Sequence, residues 1–393
     1  MKQKPEASNG LDPEQSLDLP TALGAVLVTA RTLPGAPAWT AALPTNTLGL
    51  GFLTVFGAFR RARWPVQNPL LTFSAISLVF WLTFTTFFLN DLSEFRRAGN
   101  ITLLIIAAAF IGSGRFDLRS LQRATLAGFV LAVGYSVVLH LSNPSASGYE
   151  GRLTGILGDP NAAGYIILAI GFSLAQGMQS KRNRTLLLVF MALTIWLTVS
   201  RTSMFAGLIG LSWVLVGRKV PRFISLAGLF FVNWFYGWAN EYSDKQGWFV
   251  EREGSDNLRE RLLIVEQAQV AEAGWTGNGL GTAVAELENI TLFFHNSYLA
   301  MQAEGGLIAL YLLYAVMAGL FLMFHKLPPE HRPVWAEAAL ITVAITSINI
   351  GFSITSPATA VAIGFFLYHH CSRREALKAE QSVPEHYRSL ERT

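Results

Sequence analysis

Long apolar runs, broken at short intervals by arginine and lysine, constrain this chain more than any other feature. A helix needs about 20 consecutive apolar residues to cross the hydrocarbon core of a bilayer. Inside that core every backbone polar group must find its partner within the protein, which leaves helices or closed barrels. Of the 393 residues, 51% are hydrophobic and 14% are charged, against about 25% charged in an ordinary soluble domain. The pattern predicts an all-α polytopic integral membrane protein and disfavours a large soluble helical protein.

The runs fall at 17–33, 43–59, 68–89, 98–112, 121–141, 161–178, 185–200, 203–217, 222–240, 296–324, 333–350 and 355–371. They predict about 12 transmembrane helices, the first of them short and interrupted by Arg31. Basic residues recur in every second loop: Arg60, Arg61 and Arg63, then Arg115, Arg119 and Arg123, then Lys181, Arg182 and Arg184. Arg218, Lys219 and Arg222, Lys326 and Arg332, and finally Arg373, Arg374 and Lys378 continue on the same side. Short loops rich in Lys and Arg stay in the cytoplasm, so both termini are expected inside. The layout is a cytoplasmic tail at 1–16, nine helices over 17–240, a large outward loop containing short helices at 241–294, three helices over 295–371, and a cytoplasmic tail at 372–393.

One placement depends on energetics. The apolar stretch from Leu186 to Val216 is too long for one ordinary crossing. Left unbroken, it would bury Arg201 at mid-membrane, at a cost of a few kcal/mol or more. A turn at Thr198 to Ser203 sets Arg201 at the outer surface and keeps the alternation of loops. The net charge of +4 is accounted for by the inter-helix loops and points to no nucleic-acid partner. The lone cysteine, Cys371, allows no disulfide framework within one chain. The first 19 residues lack the basic–apolar–cleavage order of a signal peptide. No internal repeat is visible, which disfavours transporter folds built from inverted repeats.

The outward face collects Arg152, Asp159 and Asn161, then Arg201, then Arg252, Arg259 and Arg261, and then His295 and Asn296. Arginine outside is the exception to the charge rule. A guanidinium fork donates bidentately to phosphate and stays charged at any working pH. The alternative is that some of these side chains snorkel to headgroups or pair with Asp159, Glu251, Glu253 or Glu260. Asn257 and Glu260 have capping-box spacing, with Leu258, Leu262 and Val265 forming a stripe behind them. Glycines at 277, 279 and 281 permit a sharp turn. His295 stands at the water boundary, where imidazole can exchange a proton near neutral pH or donate to a phosphate oxygen. The outer loops hold no HExxH, no DxD-type carboxylate pair and no Cys–His pair, so neither metal nor cofactor is expected. Glu304, inside the next span, is either a functional carboxylate or a helix-packing group.

Four segments resemble the O-antigen ligase and polymerase superfamily of bacterial envelope glycosyltransferases. Arg152-Leu153-Thr154-Gly155-Ile156-Leu157-Gly158-Asp159-Pro160-Asn161 is similar to the family's segment before a span, and Ser200-Arg201-Thr202 to its serine–arginine turn. Arg261 to Ile264 with the 277–281 glycines resembles the arginine helix of the large periplasmic loop. His295-Asn296-Ser297-Tyr298-Leu299, with Glu304 and Gly306, resembles the motif that opens the following span. Two positions depart from the family: Val265 stands where it often has an aromatic, and Ala309 where it often has a glycine.

The resemblance implies a bacterial inner-membrane enzyme with its site facing the periplasm. The donor it implies is a glycan on undecaprenyl diphosphate, used without a metal, a nucleotide sugar or a cofactor. The acceptor is lipid A core in a ligase, or another glycan in a polymerase, and membrane lipid surrounds both. By the same resemblance His295, Arg261 and Arg201 are the expected catalytic residues. Arg152, Asp159, Asn161, Arg259, Asn296 and Glu304 are the expected substrate-binding set. Ligation to lipid A core is the leading expectation, repeat-unit polymerisation the alternative, and transport of an anionic solute the more distant one. The topology is testable with single cysteines at Gln246 and Arg63 in a chain lacking Cys371. An impermeant thiol reagent applied to whole cells should label position 246 and spare 63; the opposite pattern overturns the orientation.

Overall fold

The computed structural model describes residues 18–32, 44–89, 94–143, 149, 151–221, 253–287 and 290–382. The expected ninth span at 222–240, Gln246 and Arg252 lie outside the described residues. Among those described, the chain is mostly helical. The helices are α1 (Leu19–Leu27), α2 (Thr45–Ala58), α3 (Pro69–Leu89), α4 (Phe95–Gly112), α5 (Leu118–Ser142) and α6 (Pro160–Gly177). They continue as α7 (Lys181–Thr198), α8 (Arg201–Val216), α9 (Glu253–Ala273), α10 (Ser297–Met323), α11 (Val334–Thr346) and α12 (Pro357–Ser382).

Four of these, α3, α4, α5 and α10, are long and apolar enough to cross a membrane. α3 turns Phe73, Phe80, Phe87 and Phe88 outward, each more than half exposed. That apolar surface suits hydrocarbon and would be a liability in water. The fold is that of a largely α-helical membrane protein.

Each expected span within the described residues coincides with a helix, with three corrections. α1 has only nine residues, about 14 Å of rise, which is less than the bilayer core. α12 runs on to Ser382, past the expected end of the last span at 371, so residues 372–382 are helix where a tail was expected. The outward loop holds more than short helices. It contains the 21-residue α9 and a two-stranded antiparallel hairpin, β1 (Val284–Leu287) with β2 (Ile290–Phe293), in which Val284 faces Phe293. α9 begins at Glu253, so Asn257 lies inside the helix and is not its cap.

α6 is the centre of the molecule. Every residue from Ala162 to Ala175 is buried, and α7, α8, α11 and α12 pack around it. At the expected cytoplasmic end a buried ion pair fastens α8 to α11. Arg332 donates to both carboxylate oxygens of Glu337, at 3.0 and 2.7 Å. The Trp213 indole N–H donates to the same carboxylate at 2.9 Å, and Arg332 Nη1 donates to the Gly217 carbonyl at 2.8 Å. Both charges are fully desolvated, and these extra hydrogen bonds are what make such burial tolerable.

α10 is broken. Gly306 takes φ 68° and ψ −170°, outside the helical region, in the middle of the element. The break frees main-chain groups that hydrocarbon could not satisfy. The segment that follows α9 fills it. Asn278 N–H donates to the Ala303 carbonyl at 2.9 Å and Gly279 N–H to the Glu304 carbonyl at 2.8 Å. In return Leu307 N–H donates to Gly274 O at 3.1 Å and Ile308 N–H to Trp275 O at 3.3 Å. The indole of Trp81 on α3 donates to Gly305 O at 2.7 Å.

Two glycines make this approach possible. A Cβ on Gly306 would lie 2.2 Å from the Trp275 oxygen, and one on Gly277 (φ 75°) would lie 2.4 Å from the Glu304 oxygen. Gly306→Ala is therefore expected to cost about 2 kcal/mol or more, combining a left-handed backbone penalty with the clash. It should lower the melting temperature in detergent and open residues 274–296 to protease. Gly134→Ala, in α5 with nothing near the added carbon, should be neutral or slightly stabilising.

Candidate functional site

Three helix ends, all expected to face outward, form one connected patch. α6 starts at Pro160, whose ring needs no N–H donor at that position. Asp159 caps it, its Oδ1 accepting from Asn161 N–H at 3.0 Å and Ala162 N–H at 3.2 Å. The break between α7 and α8 falls where the sequence places it. Val199 has φ 50°, a costly conformation for a β-branched residue. That reversal lets Ser200 cap α8 directly after α7 ends, its Oγ accepting from Ser203 N–H. α10 is capped by Asn296, whose Oδ1 accepts from Tyr298 N–H at 2.9 Å and Leu299 N–H at 3.2 Å.

Side chains join these caps. Ser200 Oγ donates to Asn161 Oδ1 at 2.9 Å, linking α8 to α6. Asn349 Nδ2 donates to Thr202 Oγ1 at 3.0 Å, linking α8 to the turn after α11. That turn meets α10, with Ser297 N–H donating to Ser347 O at 2.8 Å and Ser297 Oγ to Ile350 O at 2.5 Å. The Gly351 α-carbon lies so close to the Phe294 carbonyl that an added Cβ would fall 1.6 Å from it. Arg152 is drawn onto the same patch, its Nε donating to Thr198 O at 3.1 Å while Leu153 N–H donates to Leu197 O at 2.8 Å.

Three helix N-termini, each the positive end of a dipole, thus share one surface with Arg152 and Arg201. The positive dipole ends and guanidinium groups together favour phosphate and other anions. Arg201 is the first residue of α8 and half-buried. His295 is half-buried immediately before the Asn296 cap. Its main-chain N–H donates to Glu266 Oε1 at 2.7 Å, which ties α9 to the head of α10.

The expected residues divide into groups. Arg152, Asp159, Asn161 and Arg201 come together, and His295 and Asn296 join them through the 347–351 turn. Asp159 and Asn296 hold helix ends with the oxygens that were expected to meet substrate. Arg261 lies on the exposed side of α9, and the side chain of Arg259 lies outside the described residues. Glu304 sits apart from the patch. It is nine residues on from His295, about 14 Å of helix. Its carboxylate is held by Arg97 at 2.5 Å and by Gly281 N–H at 3.0 Å, beside the break in α10. Of the two readings open for Glu304, the packing role matches these contacts.

Three residues of the patch escaped the sequence reading. Arg31, taken as an interruption of the first span, lies with its guanidinium 5.0 Å from the Phe352 ring and against Gly158. Asn349 was expected inside the 333–350 span, but α11 ends at Thr346 and leaves it in the turn that follows. Glu266 is 1% exposed, and burial pushes its carboxyl up to about 7 despite the His295 hydrogen bond that favours the ionised form. Its signal was present, because position 266 continues the Leu262 stripe by one turn, where a charge is out of place. Among the described residues no group of three His, Cys, Asp or Glu side chains is placed to hold a metal ion. No protein-family model matches the chain, and no curated protein is similar to it.

The raised Glu266 carboxyl has a definite sign in stability. The folded chain holds its proton up to about pH 7, whereas the unfolded carboxyl releases it near 4.5. Between those values the folded state binds more protons, so stability falls as pH rises through the window. Glu266→Gln removes that dependence. Melting temperatures at pH 5 and pH 8 should show the variant gaining on the wild type at pH 8; an unchanged difference would mean an ordinary carboxyl.

Proposed function

We propose that this protein is a lipid-linked glycan transferase of the O-antigen ligase type. It would move a glycan from undecaprenyl diphosphate to an acceptor hydroxyl on lipid A core at the periplasmic face of a bacterial inner membrane. The observation that carries this reading is the connected outward patch. The N-termini of α6, α8 and α10 are joined by the Asn161–Ser200 and Asn349–Thr202 hydrogen bonds beside Arg152 and Arg201. The leaving group in such a transfer is a diphosphate whose negative charge grows as the glycosidic bond breaks. Fixed positive dipoles and guanidinium groups stabilise that charge more in the transition state than in the ground state.

In this reading Arg201 and Arg261 bind the diphosphate. Arg152, Asn161 and the capped ends fix its orientation. His295 meets the reacting groups, as the base for the acceptor hydroxyl or as a donor to phosphate. The carrier's chain needs an apolar path alongside. An apolar cavity lies directly inward of the His295 end of α10, lined by Leu78, Ile101, Tyr298, Met301, Ile354 and Thr359. The topology that goes with this reading has about 12 spans, both termini inside, and the α9–hairpin unit in the periplasm.

An in vitro transfer assay at matched protein levels tests the assignment. Arg201→Ala and His295→Ala should each lower turnover by about 100-fold or more. Arg201→Lys keeps the charge but loses the fork, so it should be impaired as well. The wild type should keep its rate in excess chelator, since the arginines and helix ends are assigned the charge stabilisation. Near wild-type turnover in both alanine variants would return the cationic patch to headgroup anchoring. Activity restored only by magnesium or manganese would defeat the metal-independent mechanism.

A further inference from the structure

The inner face of α9 is built from Leu262, Glu266 and Ala273, all buried, with Val265 and Gln269 at its margin. Gln269 Nε2 donates to Val284 O at 3.0 Å, seating this face on the hairpin. A carboxylate in that row has no packing rationale. An apolar side chain of similar size would fill the space with no desolvation cost. What Glu266 adds among the described residues is the 2.7 Å hydrogen bond from the His295 main-chain N–H.

That N–H stands just before the capped first turn of α10, and the bond spans 29 residues of sequence. His295 is therefore held on two sides. Phe294 abuts Gly351, and the main chain of His295 itself is gripped by Glu266. The imidazole's aim depends on this grip, because a half-buried side chain follows its main chain.

We propose that Glu266 is a positioning residue for the reaction, fixing His295 over the anion-binding patch through the His295 main-chain N–H. The proposal rests on the transferase reading of the same site. Glu266 acts through His295 and is not assigned a contact with substrate. An ionised carboxylate makes the stronger, charge-assisted bond. The grip therefore tightens as pH rises through about 7, where this carboxyl titrates. The charged and titratable groups on the elements around it are His295 and Glu304 on the α10 side, with Arg97 paired to Glu304, Glu286 on β1, and Arg261 and Glu272 on α9 itself.

Two measurements on the full-length protein test this, one independent of catalysis. Hydrogen–deuterium exchange, resolved at the His295 amide, reads the bond directly. Glu266→Ala should speed that exchange by about tenfold or more, consistent with loss of an ordinary buried hydrogen bond. Glu266→Gln keeps an acceptor oxygen and should retain most of the protection. In the transfer assay Glu266→Ala should lower kcat by about tenfold with little change in KM, since binding groups are untouched. Glu266→Gln should rescue most of the rate at pH 6 and rise less steeply than the wild type through pH 7.

Unchanged His295 exchange in Glu266→Ala overturns the proposal. So does faster exchange with an unaltered kcat, or a Glu266→Gln profile that rises through pH 7 as steeply as the wild type's. Exchange coupling intact in a chain whose wild type transfers no lipid-linked glycan would overturn the transferase reading alone and leave the link between Glu266 and His295 standing.

Discussion

The structure depends on the repair of a broken helix. Gly306 interrupts α10 where main-chain groups cannot be left without partners, and the 274–279 segment supplies them. This exchange of hydrogen bonds does more than tolerate the break. It pins the end of α9 and the start of the hairpin to a fixed depth against α10. Trp81 and Arg97 reach in from α3 and α4, so four parts of the chain meet at one joint. Glu304 belongs to this joint. Its buried charge is offset by Arg97 and the Gly281 N–H, the condition under which such a group is tolerated.

From that joint the hairpin returns the chain to the head of α10. Phe294 N–H donates to Ala283 O at 3.1 Å as the return strand ends. His295 then emerges at a height set by the hairpin's length and by the Glu266 bond, not by any local preference of its own. The other half of the patch is set by α6, whose complete burial leaves it no freedom to shift. Its Asp159 cap and the Asn161–Ser200 bond fix α8, and therefore Arg201, relative to it. The two halves meet at the 347–353 turn, where Ser347, Asn349 and Ser353 make the connections.

The electrostatic arrangement has one direction. Helix N-termini, Arg31, Arg152 and Arg201 gather at the end expected to face outward, against the general tendency of arginine to stay inside. The opposite end, expected in the cytoplasm, holds a closed pair, Arg332 with Glu337, buried and saturated with hydrogen bonds. Charges at that end lock α8 to α11, whereas the outward charges border a surface built from capped helix ends. The contrast is the physical basis for placing chemistry at one end and structure at the other.

Much of this was legible in the chain itself, for a local reason. Apolar runs and basic punctuation are properties of neighbouring residues. The helices from α2 to α8 therefore appear where hydropathy puts them, and the α7–α8 break falls at Arg201, where an unbroken helix would have buried a charge. The Asp159-Pro160 and Asn296-Ser297 pairs are local capping signals of the same kind. What hydropathy could not supply were the partners of residues far apart in sequence. Gly277 reads as part of a loop turn and Gly306 as part of a span, and nothing local says that they lie against each other. Asp159 and Asn296 read as ligand-facing until their oxygens are found on main-chain N–H groups. Glu266 reads as one more surface charge until α9 is laid on the hairpin and its carboxylate meets His295, 29 residues away. The chain alone determined which segments are helices and which charges fall at helix ends, because both follow from transfer between water and hydrocarbon. Only the tertiary structure decided which of those charges meet, because that depends on hydrogen bonds closed across the break in α10.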